Sequence, residues 1–207
     1  MNILICDDHA IIREGLRQIL LQLPDVIAIK EAGSAKEVLV LLNEETFDIV
    51  LLDITLPDKN GLDTLQSIKA KYPSLKVLMI SMHPYEQYAI RALKLGASGY
   101  LRKDTSPNEL LMAIRRITNG GIYVSDSLAE NMASQLQVGN LMKHETLSNR
   151  EFEIMLRLSN GTPLQEIGNE LFISNKTVST YRSRIMEKMG FTKNTDLTKY
   201  CIENNLT

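Results

Sequence analysis

The sequence predicts two folded units: an α/β domain built on a doubly wound, five-stranded parallel sheet, and a small all-α domain of four helices. Three observations lead there. Short apolar runs alternate with amphipathic segments over residues 1–119. Runs such as Ile49-Val50-Leu51-Leu52 are apolar at every position, as strands are when helices cover both sheet faces. From Leu147 onward only helical periodicity remains.

Each element can be justified in order. The chain has 207 residues, a length that suits two small domains. Strands are expected at 2–6, 26–32, 49–53, 76–81 and 99–101, and helices at 9–21, 35–43, 61–71, 85–95 and 107–118. Ser106-Pro107 with Glu109 supplies the fifth helix with a cap and a first-turn proline, and Gly120-Gly121 closes it. Regular βα alternation implies parallel strands joined by crossovers. Residues 120–146 are polar, with only a loose apolar spacing of Leu128, Met132 and Leu136, and read as a linker with room for one helix. In 147–207, Ser148 and Glu151 form a capping box ahead of Phe152, Ile154, Met155, Leu156 and Leu158. Thr162-Pro163 with Gln165 opens a short helix carrying Leu164, Ile167 and Leu171. Ser174 caps a third helix that stops at Gly190, and a fourth covers about 195–204.

Composition excludes some classes of function. With 23 basic and 25 acidic residues the net charge is -2, so no global polycation advertises nucleic acid. Residues 147–207 carry 8 basic and 7 acidic side chains, which permits DNA binding without arguing for it. Cys6 and Cys201 lie near opposite ends of the chain and read as buried thiols in a reducing compartment. No apolar stretch approaches the roughly 18 residues needed to cross a membrane, and no signal segment precedes the first strand. A cytoplasmic protein is expected.

The chemistry gathers where strands run out. Ligands in open parallel sheets sit beyond the carboxyl ends of the strands. Those ends supply Asp7 and Asp8, then Asp53, then Ser81, and finally Lys103. Three carboxylates within ~4–5 Å would repel by roughly 4 kcal/mol per pair at an effective dielectric near 20. A hard divalent cation relieves that repulsion, and an all-oxygen donor set favours Mg²⁺. With a lysine and a hydroxyl beside the acids, the set suits a phosphoryl group, and Asp53 is the candidate nucleophile. A single Asp after a strand is more often a turn former or helix cap; all five groups at one sheet end change the balance. The first turn lacks glycine, which argues against dinucleotide and P-loop sites. Thr55 stands where a phosphohydrolase of the haloacid-dehalogenase type carries a second acid, so a phosphorylated Asp53 is expected to persist as a signal rather than turn over.

On these residues, 1–119 resembles a response-regulator receiver domain. The acidic pair, Asp53 followed by Pro57 and Gly61, Ser81, and Tyr100 three residues before Lys103 match that family in order and spacing. The resemblance implies a flavodoxin-like fold with Asp53 as phosphoacceptor. It also implies Mg²⁺ bound directly by Asp8, Asp53 and the Thr55 backbone carbonyl, with Asp7 more peripheral. Ser81 and Lys103 would bind the phosphoryl group, and Tyr100 would turn inward on activation; from spacing alone Tyr100 reads equally well as a half-buried strand residue. Met82 is bulkier than the residue often found beside the switch hydroxyl, which is expected to restrict access.

The third helix of the second unit carries the other function. At 100° per residue, Val178, Tyr181, Ile185 and Met189 form one stripe, with Lys176, Thr180, Ser183 and Glu187 nearly opposite and Ser179 and Arg184 on the flanks. Small hydroxyls let a helix sit deep in a major groove while bases reach phosphates or guanine. A solvated face of a protein-binding bundle has the same composition. The short preceding helix and tight Phe172-Ile173-Ser174 turn favour a helix-turn-helix. Leu147 to Glu151, Gln165-Glu166-Ile167, Phe172 to Val178, and Arg184 with Lys188-Met189-Gly190 resemble the LuxR-type helix-turn-helix. The resemblance makes Lys176, Thr177, Ser179, Thr180, Arg182, Ser183, Arg184 and Lys188 the DNA-contact candidates, with Arg182 nearest the core edge. The last helix, exposing Asp196, Lys199, Tyr200 and Glu203, would serve dimerisation or close the core.

Together the halves resemble a two-component response regulator of the NarL/FixJ subfamily, a regulator and not an enzyme. That implies a sensor histidine kinase as phosphodonor, promoter DNA as target, and a homodimer when phosphorylated. A phosphorelay intermediate and a phosphate-independent dimer remain open on the residues alone.

Overall fold

The computed structural model describes residues 1–82, 86–125, 128–130, 142–204 and 206. The chain divides into two compact units, Met1–Gln137 and Val138–Thr207.

The first unit runs β1 (Asn2–Cys6), α1 (Ala10–Leu20), β2 (Ala28–Ala32), α2 (Ala35–Glu44), β3 (Ile49–Asp53), α3 (Gly61–Lys71), β4 (Lys76–Ser81), α4 (Glu86–Lys94), β5 (Gly99–Arg102) and α5 (Pro107–Thr118). The strands form one parallel sheet in the order β2-β1-β3-β4-β5. All five residues of β3 are buried, as its unbroken apolar run requires. Ile3, Ile5, Ile49, Leu51, Leu78, Ile80 and Leu101 face Leu20 of α1 and Leu110, Ile114 and Ile117 of α5. The alternate residues Leu4, Val50, Leu52, Val77 and Met79 are equally buried. Each fully buried Ile or Leu contributes about 1.5–3 kcal/mol, so truncation at Leu51 would cost about 2–5 kcal/mol.

Local signals set the helix ends. Ser34, Asn60 and Ser106 each accept a hydrogen bond from a first-turn backbone N–H of α2, α3 and α5.

Most boundaries fall within a residue of expectation, and the larger departures lie at the two sheet edges. β2 begins at Ala28 rather than 26, because Val26 closes a turn on the Leu23 carbonyl and Ile27 is left exposed. Lys30 and Glu31 then make β2 a polar sheet edge. At the opposite edge, Tyr123 bridges Gly99 in parallel. Its N–H donates to the Ser98 carbonyl at 3.0 Å, and its carbonyl accepts from Tyr100 N–H at 3.2 Å. The first residues of the expected linker thus pair with β5. Of the rest, Leu128 is buried and residues 128–130 are helical, while Met132 and Leu136 lie outside the described residues.

The second unit contains a short 3₁₀ turn (Lys143–Thr146), then α6 (Asn149–Ser159), α7 (Leu164–Glu170), α8 (Asn175–Met189) and α9 (Asn194–Glu203). The Ser148–Glu151 capping box forms at α6, and Ser174 caps α8, accepting from Thr177 N–H. Phe152, Ile154, Met155, Ile167, Val178, Ile185, Leu197 and Cys201 make the core. α9 packs on α6. Tyr200 is half-buried rather than exposed, because its hydroxyl meets His144 Nδ1 at 2.9 Å and its ring lies against Phe191. Both cysteines are free and buried. Among the described residues, no helix is long and apolar enough to cross a membrane.

Candidate functional site

Strand register assembles the acid site. Cys6 pairs with Leu52, so Asp7 emerges level with Asp53. Asp53 pairs with Ile80, one residue short of Ser81, and Ser81 pairs with Arg102, one short of Lys103. Lys103 N–H donates to the Ser81 carbonyl at 2.9 Å, which fixes the start of the Lys103 side chain over the strand ends.

From there the Lys103 ammonium reaches both buried acids, 2.5 Å from Asp7 Oδ2 and 2.7 Å from Asp53 Oδ2. The other Asp53 oxygen accepts from Ile54 N–H at 2.7 Å. Burial pushes the Asp53 carboxyl from an ordinary 3.8 up to about 6, against the pull of Lys103 and a hydrogen bond from the Thr55 backbone. Burial also works against the charge on Lys103, but Asp53 and Asp7 outweigh it and hold the ammonium above its usual range. Ser81 is fully buried. Tyr100 is buried too, hydrogen-bonded to Ser81 through its side chain, and burial raises its phenol to about 12. Met82 turns outward and is 63% exposed, so its bulk lies toward solvent.

The loop after Asp53 is held by its own polar residues. Asp58 accepts from Ala35 and Lys36 N–H, both at 2.9 Å, at the start of α2. Gly61 N–H returns to the Ile54 carbonyl at 2.7 Å. A Cβ on Gly61 would sit 2.0 Å from the Asp53 carbonyl oxygen, so only glycine allows this close return.

Asp8 stands apart from the lysine. It is the most exposed of the three acids and meets His9 Nδ1 at 2.7 Å. The same nitrogen lies 3.3 Å from Asp7 Oδ1, and His9 N–H donates to that oxygen at 2.9 Å. Asp7, Asp8 and His9 each present a ligand atom within 4.8 Å of the others. His9 is not among the site residues expected from the sequence. Its place directly after the acid pair, on the turn into α1, was the available signal.

In the second unit, Lys176, Ser179, Thr180, Ser183 and Arg184 are exposed along α8, and Thr177 and Arg182 are partly so. Ser174, Lys176, Thr177, Thr180, Tyr181 and Arg184 line a hollow of about 300 Å³. Two of the basic candidates bond to other helices of the domain: Arg182 donates to Asn194 Oδ1 at 2.9 Å, and Lys188 reaches Glu151 at 2.6 Å. Glu151 therefore closes the α6 capping box and anchors the end of α8. Glu153, also buried, is paired with Arg150 and Arg157, and Arg157 extends to Glu170 of α7. Arg150 further donates to the Leu171 carbonyl at 2.7 Å. These ion pairs fix α7 and α8 against α6; sequence pattern did not reveal Glu153, because a charged residue inside an apolar stripe reads as a surface position. The turn between α7 and α8 places Phe172 at φ 54°, with its ring 71% exposed.

The family described as "Response regulator receiver domain" matches residues 3–115. The chain belongs to the response regulators. Residues 145–201 of this response regulator match "Bacterial regulatory proteins, luxR family". It is similar to the transcriptional activator protein ExaE of Pseudomonas putida, 36% identical across 100% of this chain and 98% of that protein. To the response regulator UvrY of Escherichia coli K12 it is 31% identical, across 100% and 95%. Among solved structures, RcsB of Salmonella enterica bound to promoter P1flhDC with the phosphomimetic BeF3- is 25% identical, with a TM-score of 0.62 over 97% of each chain. A LuxR-family response regulator from Aurantimonas is 35% identical, with a TM-score of 0.61 over 65% of this chain and 96% of that one. This response regulator is thus a transcription factor of the NarL/FixJ type that binds DNA through its LuxR-type helix-turn-helix, in a family of regulators rather than enzymes.

Proposed function

We propose that Asp53 accepts a phosphoryl group from the phosphohistidine of a sensor kinase in the cytoplasm, and that the phosphorylated protein binds promoter DNA as a homodimer through α8. The observation that carries this reading is the Asp7–Lys103–Asp53 bridge at the strand ends. Transfer breaks the donor's P–N bond and forms a P–O bond to Asp53. Lys103 and the Ser81 hydroxyl would take the phosphoryl oxygens, and Lys103 would neutralise the charge that arrives. With Ser81 so engaged, Tyr100, already bonded to it, follows.

The donor set suits a hard divalent cation. Three carboxylates lie at one sheet end, and a buried ammonium already bridges two of them. Asp8, Asp53 and the Thr55 carbonyl would hold Mg²⁺, with Asp7 at the periphery. When bound, the cation supplies charge neutralisation for the transferring group.

On α8, Lys176, Thr177, Ser179, Thr180, Ser183 and Arg184 would enter the groove. Arg182 and Lys188, through Asn194 and Glu151, would set the helix angle while remaining near enough for phosphate contact. RcsB, bound to promoter DNA and recorded as dimers on two parallel DNAs, supports the dimeric reading by likeness. α9 is the candidate contact between copies in this unit.

The test is DNA selection on the full-length protein with and without BeF₃⁻ and Mg²⁺. One enriched motif with two half-sites is expected, bound more tightly with BeF₃⁻ and equally in its absence and presence for Asp53→Asn. Salt-sensitive binding that BeF₃⁻ leaves unchanged in the native protein would remove Asp53 from control.

A further inference from the structure

We infer that His9 is a ligand of the divalent cation at the strand-end site, and that its imidazole nitrogen tilts the site toward Mn²⁺ and Co²⁺ relative to Mg²⁺. The inference rests on the acid-site reading above and adds a donor of a different chemical kind.

Three features converge. His9 occupies the N-cap position of α1, where a side chain usually turns back to accept a helix N–H. Here it makes no such bond. The ring turns instead toward the acids, with Nδ1 2.7 Å from Asp8 Oδ1 and 3.3 Å from Asp7 Oδ1. Adjacent donors around an octahedral ion of this size lie about 3 Å apart, given metal–ligand bonds near 2.1 Å. The nitrogen therefore already stands at ligand spacing from an oxygen of each acid, and a cation held by Asp8 could take it as a further ligand with little movement of the ring.

The main chain holds that arrangement in place. His9 N–H donates to Asp7 Oδ1 at 2.9 Å, and the His9 carbonyl accepts from Ile12 and Arg13 N–H in the first turn of α1. Arg13 in turn donates to the Asp7 carbonyl at 2.6 Å. The ring itself is 66% exposed, so it can turn its lone pair inward without disturbing the core. On the opposite side of the cluster, Lys103 binds the other Asp7 oxygen. Asp7 thus separates the two basic groups. His9 stands on the side of the exposed Asp8, where a cation can enter, and Lys103 stands on the buried side.

The chemical consequence is selectivity. Mg²⁺ is a hard ion that takes oxygen and gains little from imidazole, whereas first-row transition ions accept nitrogen readily. A carboxylate–carboxylate–imidazole face should therefore rank Co²⁺ and Mn²⁺ above Mg²⁺ by more than an all-oxygen site would.

Pulsed EPR of Mn²⁺ bound to the full-length protein tests this directly, since a coordinated imidazole imprints a ¹⁴N coupling on the metal signal. The coupling is expected in the native protein, absent in His9→Ala, and retained in His83→Ala, a second histidine two residues after Ser81 in the sequence. By calorimetry, His9→Ala is expected to lower Co²⁺ affinity at least about tenfold and Mg²⁺ affinity by no more than about twofold. Mn²⁺ bound without ¹⁴N coupling, or a coupling that survives His9→Ala, overturns the inference and leaves the acid site standing. Failure of the native protein to bind Mn²⁺ overturns both. Undiminished Mn²⁺ affinity in Asp53→Asn counts against the acid-site reading alone, while the coupling still decides the role of His9.

Discussion

Lys103 Nζ and Asp53 Oδ2 are 2.7 Å apart, with both side chains almost wholly buried. The pair is not a simple stabilising bridge. Burial raises Asp53 more than the lysine lowers it, so the ionised acid is held in a place that costs free energy until further positive charge arrives.

This fixes the sign of a pH effect. The folded Asp53 carboxyl titrates at about 6 and its ordinary value is 3.8. Between those values the folded chain holds a proton that the unfolded chain has released, so stability contributed here rises as pH falls through 6 toward 4. Lys103, raised, contributes stability that is lost only at alkaline pH above its ordinary 10.5. Asp53→Asn is expected to flatten the acid-side slope and to stabilise the metal-free protein by about 1–2 kcal/mol at pH 7.5, part of the gain being offset by the weakened Lys103 contact. Urea unfolding from pH 5 to 8 checks it. A native protein less stable at pH 5 than at 7.5, with an unchanged slope in the variant, would refute the assignment.

Magnesium should act in the same direction. At a hundredfold excess over its dissociation constant, one bound cation stabilises by about 2.7 kcal/mol. Thermal unfolding with 10-fold steps of Mg²⁺ should show a rising midpoint for the native protein and a much smaller rise for Asp53→Asn.

Close backbone contacts predict two costly glycine substitutions. Gly61→Ala places a Cβ 2.0 Å from the Asp53 carbonyl oxygen, with no flexible side chain to yield. A loss of about 3 kcal/mol and weakened BeF₃⁻ binding are expected. Gly99→Ala sets a Cβ 2.7 Å from the Tyr123 carbonyl oxygen. It should detach residue 123 from β5 at a cost of about 1–3 kcal/mol, and hydrogen exchange should quicken at Tyr100 and Tyr123 N–H while β3 amides stay protected.

The helical unit separates buried from exposed ion pairs. Glu153 is 1% exposed between Arg150 and Arg157, and Glu153→Ala should cost about 3–5 kcal/mol. Lys199 and Glu203 are 76% and 59% exposed on α9, and Glu203→Ala should change stability by less than about 0.5 kcal/mol. Chemical denaturation followed by helical circular dichroism compares the two.

For DNA, the exposed Arg184 and the internally bonded Arg182 should behave differently. Arg184→Ala should weaken binding and reduce the slope of log K against log salt by about 0.9. Arg182→Ala, which loses Asn194, should lower affinity with a smaller change of slope. Equal slope changes in both variants would make Arg182 a direct phosphate contact.

Much of this was legible in the chain itself. Unbroken apolar runs mark β1, β3 and β4 as buried strands, and the carboxylate or hydroxyl at the end of each, with Lys103 after β5, could be read as one sheet end, because parallel strands bring like ends together. Capping residues marked α5, α6 and α8 for a local reason: a hydroxyl three residues before a helix N–H needs no tertiary context. What the tertiary structure alone decided were relationships between distant residues. The Lys103 ammonium joins Asp7 to Asp53 because strand register brings residues of three strands within bonding distance. Tyr123 pairs with β5 through one bridge, too short to leave a strand pattern in sequence. Glu153 became a buried charge because arginines before and after it on the same helix satisfy it, and His9 faces the acids because the turn into α1 aims it there. Periodicity reports which face of an element is apolar. Only packing determines which polar groups from different elements meet, since that depends on angle and distance rather than on composition.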